Sequence, residues 1–190
     1  MNIFIESSNL DSILIQNWID LGHGALRGRH PYHTPVLATQ GDTGPDVRTV
    51  VLRDANFVQR RLVCHTDIRS PKVRDVQTQP QVAWLFYDRA NNTQLRIRGQ
   101  VQIHHEDELA RARWQKSAAR SRQCYHAALS PSTPAASPEA PTPLETGFEN
   151  FAVIDCKVDT IDWLYLQHEG HLRARFDWRD GNWQSTWLAP

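Results

Sequence analysis

From Gln94 to Ile103 the chain alternates strictly: Leu95, Ile97, Val101 and Ile103 fall on one face, and Gln94, Arg96, Arg98, Gln100 and Gln102 on the other. A period of two is that of a β-strand, and a strand with one polar face belongs to a sheet covered on one side only. It is the most legible strand in the chain. Other β-rich runs fit the same frame: Pro35 to Gln40, Val47 to Arg53, Phe57 to His65, and Gln81 to Tyr87. The first three are separated by Gly41-Asp42-Thr43-Gly44-Pro45 and Asp54-Ala55-Asn56, and read as a meander. Strands are also expected at Phe151 to Val158, at Leu172 to Trp178 and at Asn182 to Leu188, the last two joined by a turn at Asp180-Gly181.

Helices are fewer. Leu10, Ile13, Leu14, Trp18 and Leu21 recur at helical spacing behind the capping candidates Ser7-Ser8-Asn9. Ser70-Pro71 is a helix start, with Pro80 bounding the short helix that follows. Glu106 to Ser117 carries acids first and bases last, which suits the helix dipole. The expected fold is mainly β: an antiparallel barrel or sandwich with an N-terminal helix and short connecting helices. Length fits one domain over residues 1–190. Within it, 129–147 holds five of the eleven prolines and is expected to be a mobile loop.

Lys and Arg total 21 against 21 Asp and Glu, so no global field draws the chain to nucleic acid or to an anionic membrane. The apolar runs are far shorter than the ~20 residues that cross a bilayer, and the first residues lack the pattern of a signal peptide. A cytoplasmic location is expected. Three cysteines, Cys64, Cys124 and Cys156, lack CxxC spacing and read as packing thiols. His30-x-x-His33 and His168-x-x-His171 have metal-like spacing without a clear third ligand, so no metal is expected.

Two cations stand out. Arg48 shares the strand face of Val50 and Leu52, where an unpaired charge is costly. Lys72 falls in the first turn of the Ser70 helix, where the dipole disfavours a cation. Both are accounted for if an anion lies between them, and the helix N-terminus with Ser70, Lys72 and Arg69 is a plausible phosphate site; an internal ion pair and a solvated cluster are the alternatives. Trp163 and Trp178, near a basic hairpin, could line a pocket for a ring.

Taken in order, four segments resemble the pyridoxamine 5′-phosphate oxidase family of FMN-binding split β-barrels. They are Arg48-Thr49-Val50-Val51-Leu52-Arg53, Cys64 through Lys72, Gln94-Leu95-Arg96-Ile97-Arg98-Gly99, and Arg175-Phe176 through Leu188-Ala189-Pro190. The pattern is similar to the subgroup described as Alr4036-like. The resemblance implies an FMN-dependent oxidoreductase working as a homodimer, with FMN at the subunit interface and a small-molecule substrate, pyridoxamine or pyridoxine 5′-phosphate among the candidates. It implies that Arg48, Thr66, Ser70 and Lys72 serve the phosphate, with His65 in the same turn. The backbone of Thr49, Val50, Val51 and Leu52, together with Arg53 and Gln94, would serve the ring or ribityl chain, and Arg175 the ring region. Substrate contacts would fall to Trp114, Arg122, His171 and Arg173; no catalytic acid or base is implied, because the flavin does the redox step.

The chain departs from the family pattern at several positions. Pro71 stands where the family has Arg, His65 where it has Tyr, and Arg53 where it has Lys. His171-Leu172-Arg173 reverses the family's Arg-x-His. A non-catalytic flavin-binding or flavin-sensing homodimer is therefore the alternative, followed by a haem-binding split barrel with His65 or His168 as ligand.

Overall fold

The computed structural model describes residues 9–135 and 147–190. Helix α1 (Leu10–Leu26) starts at Asn9, whose side chain accepts from the Asp11 amide at 3.0 Å. Its buried face of Leu14, Trp18 and Leu21 packs on the barrel. A 3-10 turn (Pro31–His33) then leads into strands β1 (Val36–Gly41), β2 (Gly44–Thr49), β3 (Leu52–Asn56) and β4 (Arg61–Asp67). Helix α2 (Pro71–Thr78) and strands β5 (Gln81–Asp88) and β6 (Thr93–His105) follow. Helices α3 (Glu108–Lys116) and α4 (Ala119–Arg122) precede β7 (Phe151–Tyr165) and the hairpin of β8 (Leu172–Arg179) and β9 (Asn182–Leu188).

All strand pairs are antiparallel, in the order β2-β1-β5-β6-β7-β4-β3, with β8 and β9 branching from β7. The two ends of that path, β2 and β3, are consecutive in the chain and joined only by Val50 and Val51. The sheet therefore closes through a covalent link rather than a ladder, which is a split barrel. This corrects the expectation of one strand over Val47 to Arg53: alternation is broken at Val50, whose amide donates to the Pro35 carbonyl at 2.9 Å. Asp54-Ala55-Asn56, expected as a break, lies in β3, and the turn falls at 57–60. There Arg60 adopts φ 52° and its guanidinium donates to the Val158 carbonyl at 2.7 Å.

Strand β7 runs seven residues beyond the expected end at Val158. The extension is masked in the sequence by Asp159 and Asp162, but Asp162 faces Arg96 and Arg173, which neutralise it on the open side of the sheet. Between Arg98 and Gly99 the β6–β7 register shifts, so Asp159 is left over as a bulge. The close approach there requires glycine: a Cβ on Gly99 would lie 2.2 Å from the Lys157 carbonyl oxygen. The bulge also explains why the alternation of β6 is cleanest before Gly99 and why Val101 and Ile103 are only half-buried.

The barrel interior is filled by Leu37, Leu52, Leu62, Trp84, Phe86, Leu95, Ile97, Ile161 and Phe176, each essentially inaccessible. Burying a side chain of this size contributes about 1.5–3 kcal/mol, which dominates any single polar contact described below. A second, smaller core lies between α3 and the outer face of β4 and β7, built from Val63, Ala110, Phe151 and Val153. Most of the expected Pro-rich loop, 136–146, lies outside the described residues. Among the described residues no helix is long and apolar enough to cross a membrane.

Candidate functional site

The β4–α2 turn gathers three of the expected residues. Ser70 precedes α2 in extended backbone and makes no side-chain cap bond, so its hydroxyl is turned to other partners. It lies 3.2 Å from the Thr66 hydroxyl, and the Lys72 ammonium donates to both, at 3.1 Å to Ser70 and 3.2 Å to Thr66. Ser70 is fully buried and Thr66 nearly so; the two hydroxyls therefore hold the ammonium from behind. No carboxylate pairs with Lys72 among the described residues. Burial, and then the nearby positive charge of Arg48, press its pKa below the ordinary lysine value. A half-buried ammonium held by neutral oxygens at the start of a helix is matched by an anion.

Arg48 differs from the sequence expectation. It faces the interior from β2, but it is not without partners: it pairs with Asp46 at 2.5 Å, lies 3.8 Å from the Asp75 carboxylate and donates to the Thr39 hydroxyl at 2.7 Å. Thr39 in turn donates to Asp75 at 2.7 Å. Asp75 and Thr39 were missed in the sequence; the available signal was that Asp75 sits three residues after Lys72, on the same helix side. Lys72, Arg53 and Arg48 all act electrostatically on the buried Cys64 thiol, whose pKa burial nonetheless pushes up to about 12.

His65 lies on the opposite face of β4, in the second core, with its ring 4.8 Å from that of Phe151. Burial, then the charges of Arg53 and Arg113, press its pKa down to about 3, so it is neutral at physiological pH. Its Nε2 is buried without a hydrogen-bond partner among the described residues. Arg53 is exposed beside this ring, and Arg113, from α3, pairs with Asp54. Val51, between the two strands, belongs to neither ladder, which leaves its backbone polar groups free of the sheet.

The remaining expected residues lie elsewhere. Arg175, Arg173 and His171 are on β8 or just before it, and β8 pairs with the far half of β7. Thr66 is opposite Ala152 of β7, whereas Arg175 is opposite Asp162, ten residues along that strand or about 33 Å at full extension. Arg175 pairs with Asp177 at 3.0 Å, and Arg173 with Asp162 at 2.8 Å. Gln94 is half-buried on β6 opposite Leu164, near this second group rather than the first. Trp114 is packed among Tyr125, Phe148 and Phe151. Arg122 lies over its ring and donates to the Ser117 and Gln115 carbonyls, closing the end of α3. Trp163 is buried in the main core, and Trp178 carries the Arg60 guanidinium 4.1 Å above its ring, so neither lines an open ring pocket.

Comparison with known proteins agrees with this architecture. Residues 15–105 match the model of the pyridoxamine 5′-phosphate oxidase FMN-binding domain. A pyridoxine/pyridoxamine 5′-phosphate oxidase from Myxococcus xanthus is 31% identical over 82% of this chain and 80% of its own length. The enzyme of the same name from Deinococcus deserti is 27% identical over 92% of this chain and 86% of its own. Among solved structures, a pyridoxamine 5′-phosphate oxidase-related, FMN-binding protein from Nostoc punctiforme superposes with a TM-score of 0.75, covering 93% of this chain and 96% of that one at 23% identity. PhzG from Burkholderia lata, solved with tetrahydrophenazine-1-carboxylic acid, gives 0.71 at 18% identity, covering 100% of this chain and 97% of its own. A closed antiparallel barrel with an unbalanced lysine at the β4–α2 turn, and a relative of this identity and coverage, lead to one conclusion: the chain belongs to the pyridoxamine 5′-phosphate oxidase family.

Proposed function

We propose that this chain is an FMN-dependent oxidoreductase that works as a homodimer on a small molecule, with pyridoxine or pyridoxamine 5′-phosphate as the first substrates to test. The observation that carries the cofactor is Lys72, a half-buried cation with hydroxyls behind it and no carboxylate partner among the described residues. In this reading Lys72 binds the phosphate, Thr66 and Ser70 orient its ammonium, and Arg48 adds charge while Asp46 and Asp75 fix its position. The backbone of Thr49, Val50, Val51 and Leu52 flanks the ring edge, and Arg53 and His65 border it on the outer side. Bound FMN would supply the two-electron chemistry, taking a hydride equivalent from substrate carbon and passing electrons to an acceptor. The protein's part is to hold the phosphate, orient the ring and keep His65 neutral beside it.

A second copy of the chain is part of this reading, and the outer sheet supports it. A matching surface exists on the outer sheet: Val47, Ala38 and Ala83 lie in one row and Val36 and Leu85 in the next, followed by Tyr87. Of these Val47, Leu85 and Tyr87 are exposed at 62%, 38% and 46%. The second reading, flavin binding without vitamin-phosphate turnover, is favoured by Arg173 and Arg122, whose donors already serve Asp162 and backbone carbonyls.

The test is to reconstitute the purified chain with FMN and record its spectrum before and after each vitamer without oxygen. The reading expects bound-flavin bands near ~370 and ~450 nm, loss of the latter with substrate, and its return with hydrogen peroxide on aeration. No flavin bands would overturn the cofactor. Flavin bands that neither vitamer bleaches would overturn the substrates while leaving the cofactor in place.

A further inference from the structure

The pair His30 and His33 has metal-like spacing in the sequence, but the fold separates its members. His33 Nδ1 lies 2.7 Å from the Gly24 carbonyl and is occupied there. His30, at the start of the 3-10 turn, instead meets α1, where Asp20 and His23 stand three residues apart on one helix side. One donor atom from each of Asp20, His23 and His30 lies within 4.8 Å of the other two, and the His23 and His30 rings are 6.2 Å apart. All three residues are half-buried, so the cluster is reachable from solvent and also shielded on one side.

We propose that Asp20, His23 and His30 form a binding site for a borderline divalent ion of the zinc class, which clips α1 to the turn before β1. Two imidazoles and one carboxylate are a donor set that suits Zn²⁺, with water completing the coordination. Bonds of about 2.0–2.2 Å place tetrahedral donors roughly 3.3 Å apart, so the side chains must close by no more than about 1.5 Å. Gln16 Nε2 donates to one oxygen of Asp20 at 3.0 Å, which orients the carboxylate and leaves its other oxygen for the ion. Asp88 adds negative charge near Asp20 and His30 without acting as a ligand, because its oxygens accept from Ala90, Asn91 and the Asn91 side chain.

One feature of the apo geometry changes on binding. His30 Nδ1 accepts from the Tyr32 amide at 3.2 Å, so the neutral ring carries its proton on Nε2. An ion at Nε2 moves that proton to Nδ1, and an ion at Nδ1 displaces the amide directly; either way the Tyr32 amide is released. The proposed ligands lie on α1 and at the start of the 3-10 turn, not on the β4–α2 turn that carries Thr66, Ser70 and Lys72.

The test is calorimetric titration of the full chain, without a histidine tag, with zinc chloride at pH 7.5, beside amide NMR spectra. The expected result is one ion per chain with a Kd below about 10 µM and a displaced Tyr32 amide signal. His23→Gln and His30→Ala should each weaken binding at least about tenfold, and Asp20→Asn by less, while His168→Ala in the exposed His168/His171 pair leaves it unchanged. His23→Gln keeps a helix-compatible polar side chain on half-exposed α1, so its melting curve without zinc should match the parent. Absence of stoichiometric binding overturns the site, as does binding undiminished by His23→Gln and His30→Ala or abolished by His168→Ala.

Discussion

Two groups of cations among the described residues, one on the β8 side and one at the β4–α2 turn, are built in opposite ways. On the β8 side, Arg96 and Arg173 converge on Asp162 and Arg175 binds Asp177, so the positive charges are balanced by acids on adjacent strands. At the β4–α2 turn, Lys72 is backed by two hydroxyls, and the charge that acts on it most strongly is that of another cation, Arg48. A balanced cluster is complete without a ligand and holds strands together; an unbalanced one is complete only with an anion. The difference supports the proposal of a cofactor phosphate at α2, with Asp162 and its arginines serving the frame, although the β8 side carries more basic residues.

The largest effect expected from breaking this comparison is at Arg48, which belongs partly to each kind. Arg48→Ala removes charge from the anion site and also strips Asp75 and Thr39 of a partner. Leaving a mostly buried carboxylate unpaired costs on the order of 1–3 kcal/mol, so melting temperature and FMN affinity should fall together. Thermal melts of the apo variant beside FMN titrations check this; a weakened flavin with an unchanged melt would mean that the Asp75 contact contributes nothing to the fold.

A smaller effect is expected at Asp162. Its carboxyl is held below the usual range: burial raises it, but the hydrogen bonds from Arg173 and Arg96 more than offset this. These arginines are substantially exposed, and ion pairs of that kind contribute little. Asp162→Asn should lower the melting temperature by at most about 4 °C. If the two clusters have separate tasks, phosphate binding at Lys72 stays intact, seen as unchanged protection of the Lys72 site by inorganic phosphate in amide NMR. Loss of that protection would show the clusters to be coupled.

Much of this was legible in the sequence where one interaction dominates. The alternation of β6, the Ser70-Pro71 helix start and the Asp-Gly hairpin each express a local rule, and each element formed where expected. The failures are where tertiary structure overrides the local pattern. The stretch Val47 to Arg53 reads as one strand because nothing in its composition reports that the barrel must change edges at Val50 and Val51. The continuation of β7 past Val158 carries Asp159 and Asp162, and what accommodates them, the bulge opposite Gly99 and the arginines across the sheet, is remote in sequence. Lys72 was identifiable from its unfavourable place at a helix N-terminus. The acids that hold Arg48 were not, since Asp46 lies beside it but Asp75 arrives only by way of α2.

The central claim, that Lys72 is there for an anion rather than for the fold, is tested most directly by Lys72→Ala. FMN is titrated into the apo variant by fluorescence quenching, and the apo melting curve is recorded beside it. A charge-assisted contact of this kind contributes about 1.5–3 kcal/mol, so FMN affinity should fall between roughly tenfold and a hundredfold. Removing a cation that burial and Arg48 both disfavour should leave the apo melting temperature unchanged or slightly raised. Unchanged FMN affinity together with a collapsed melting temperature would contradict the account and make Lys72 a structural residue.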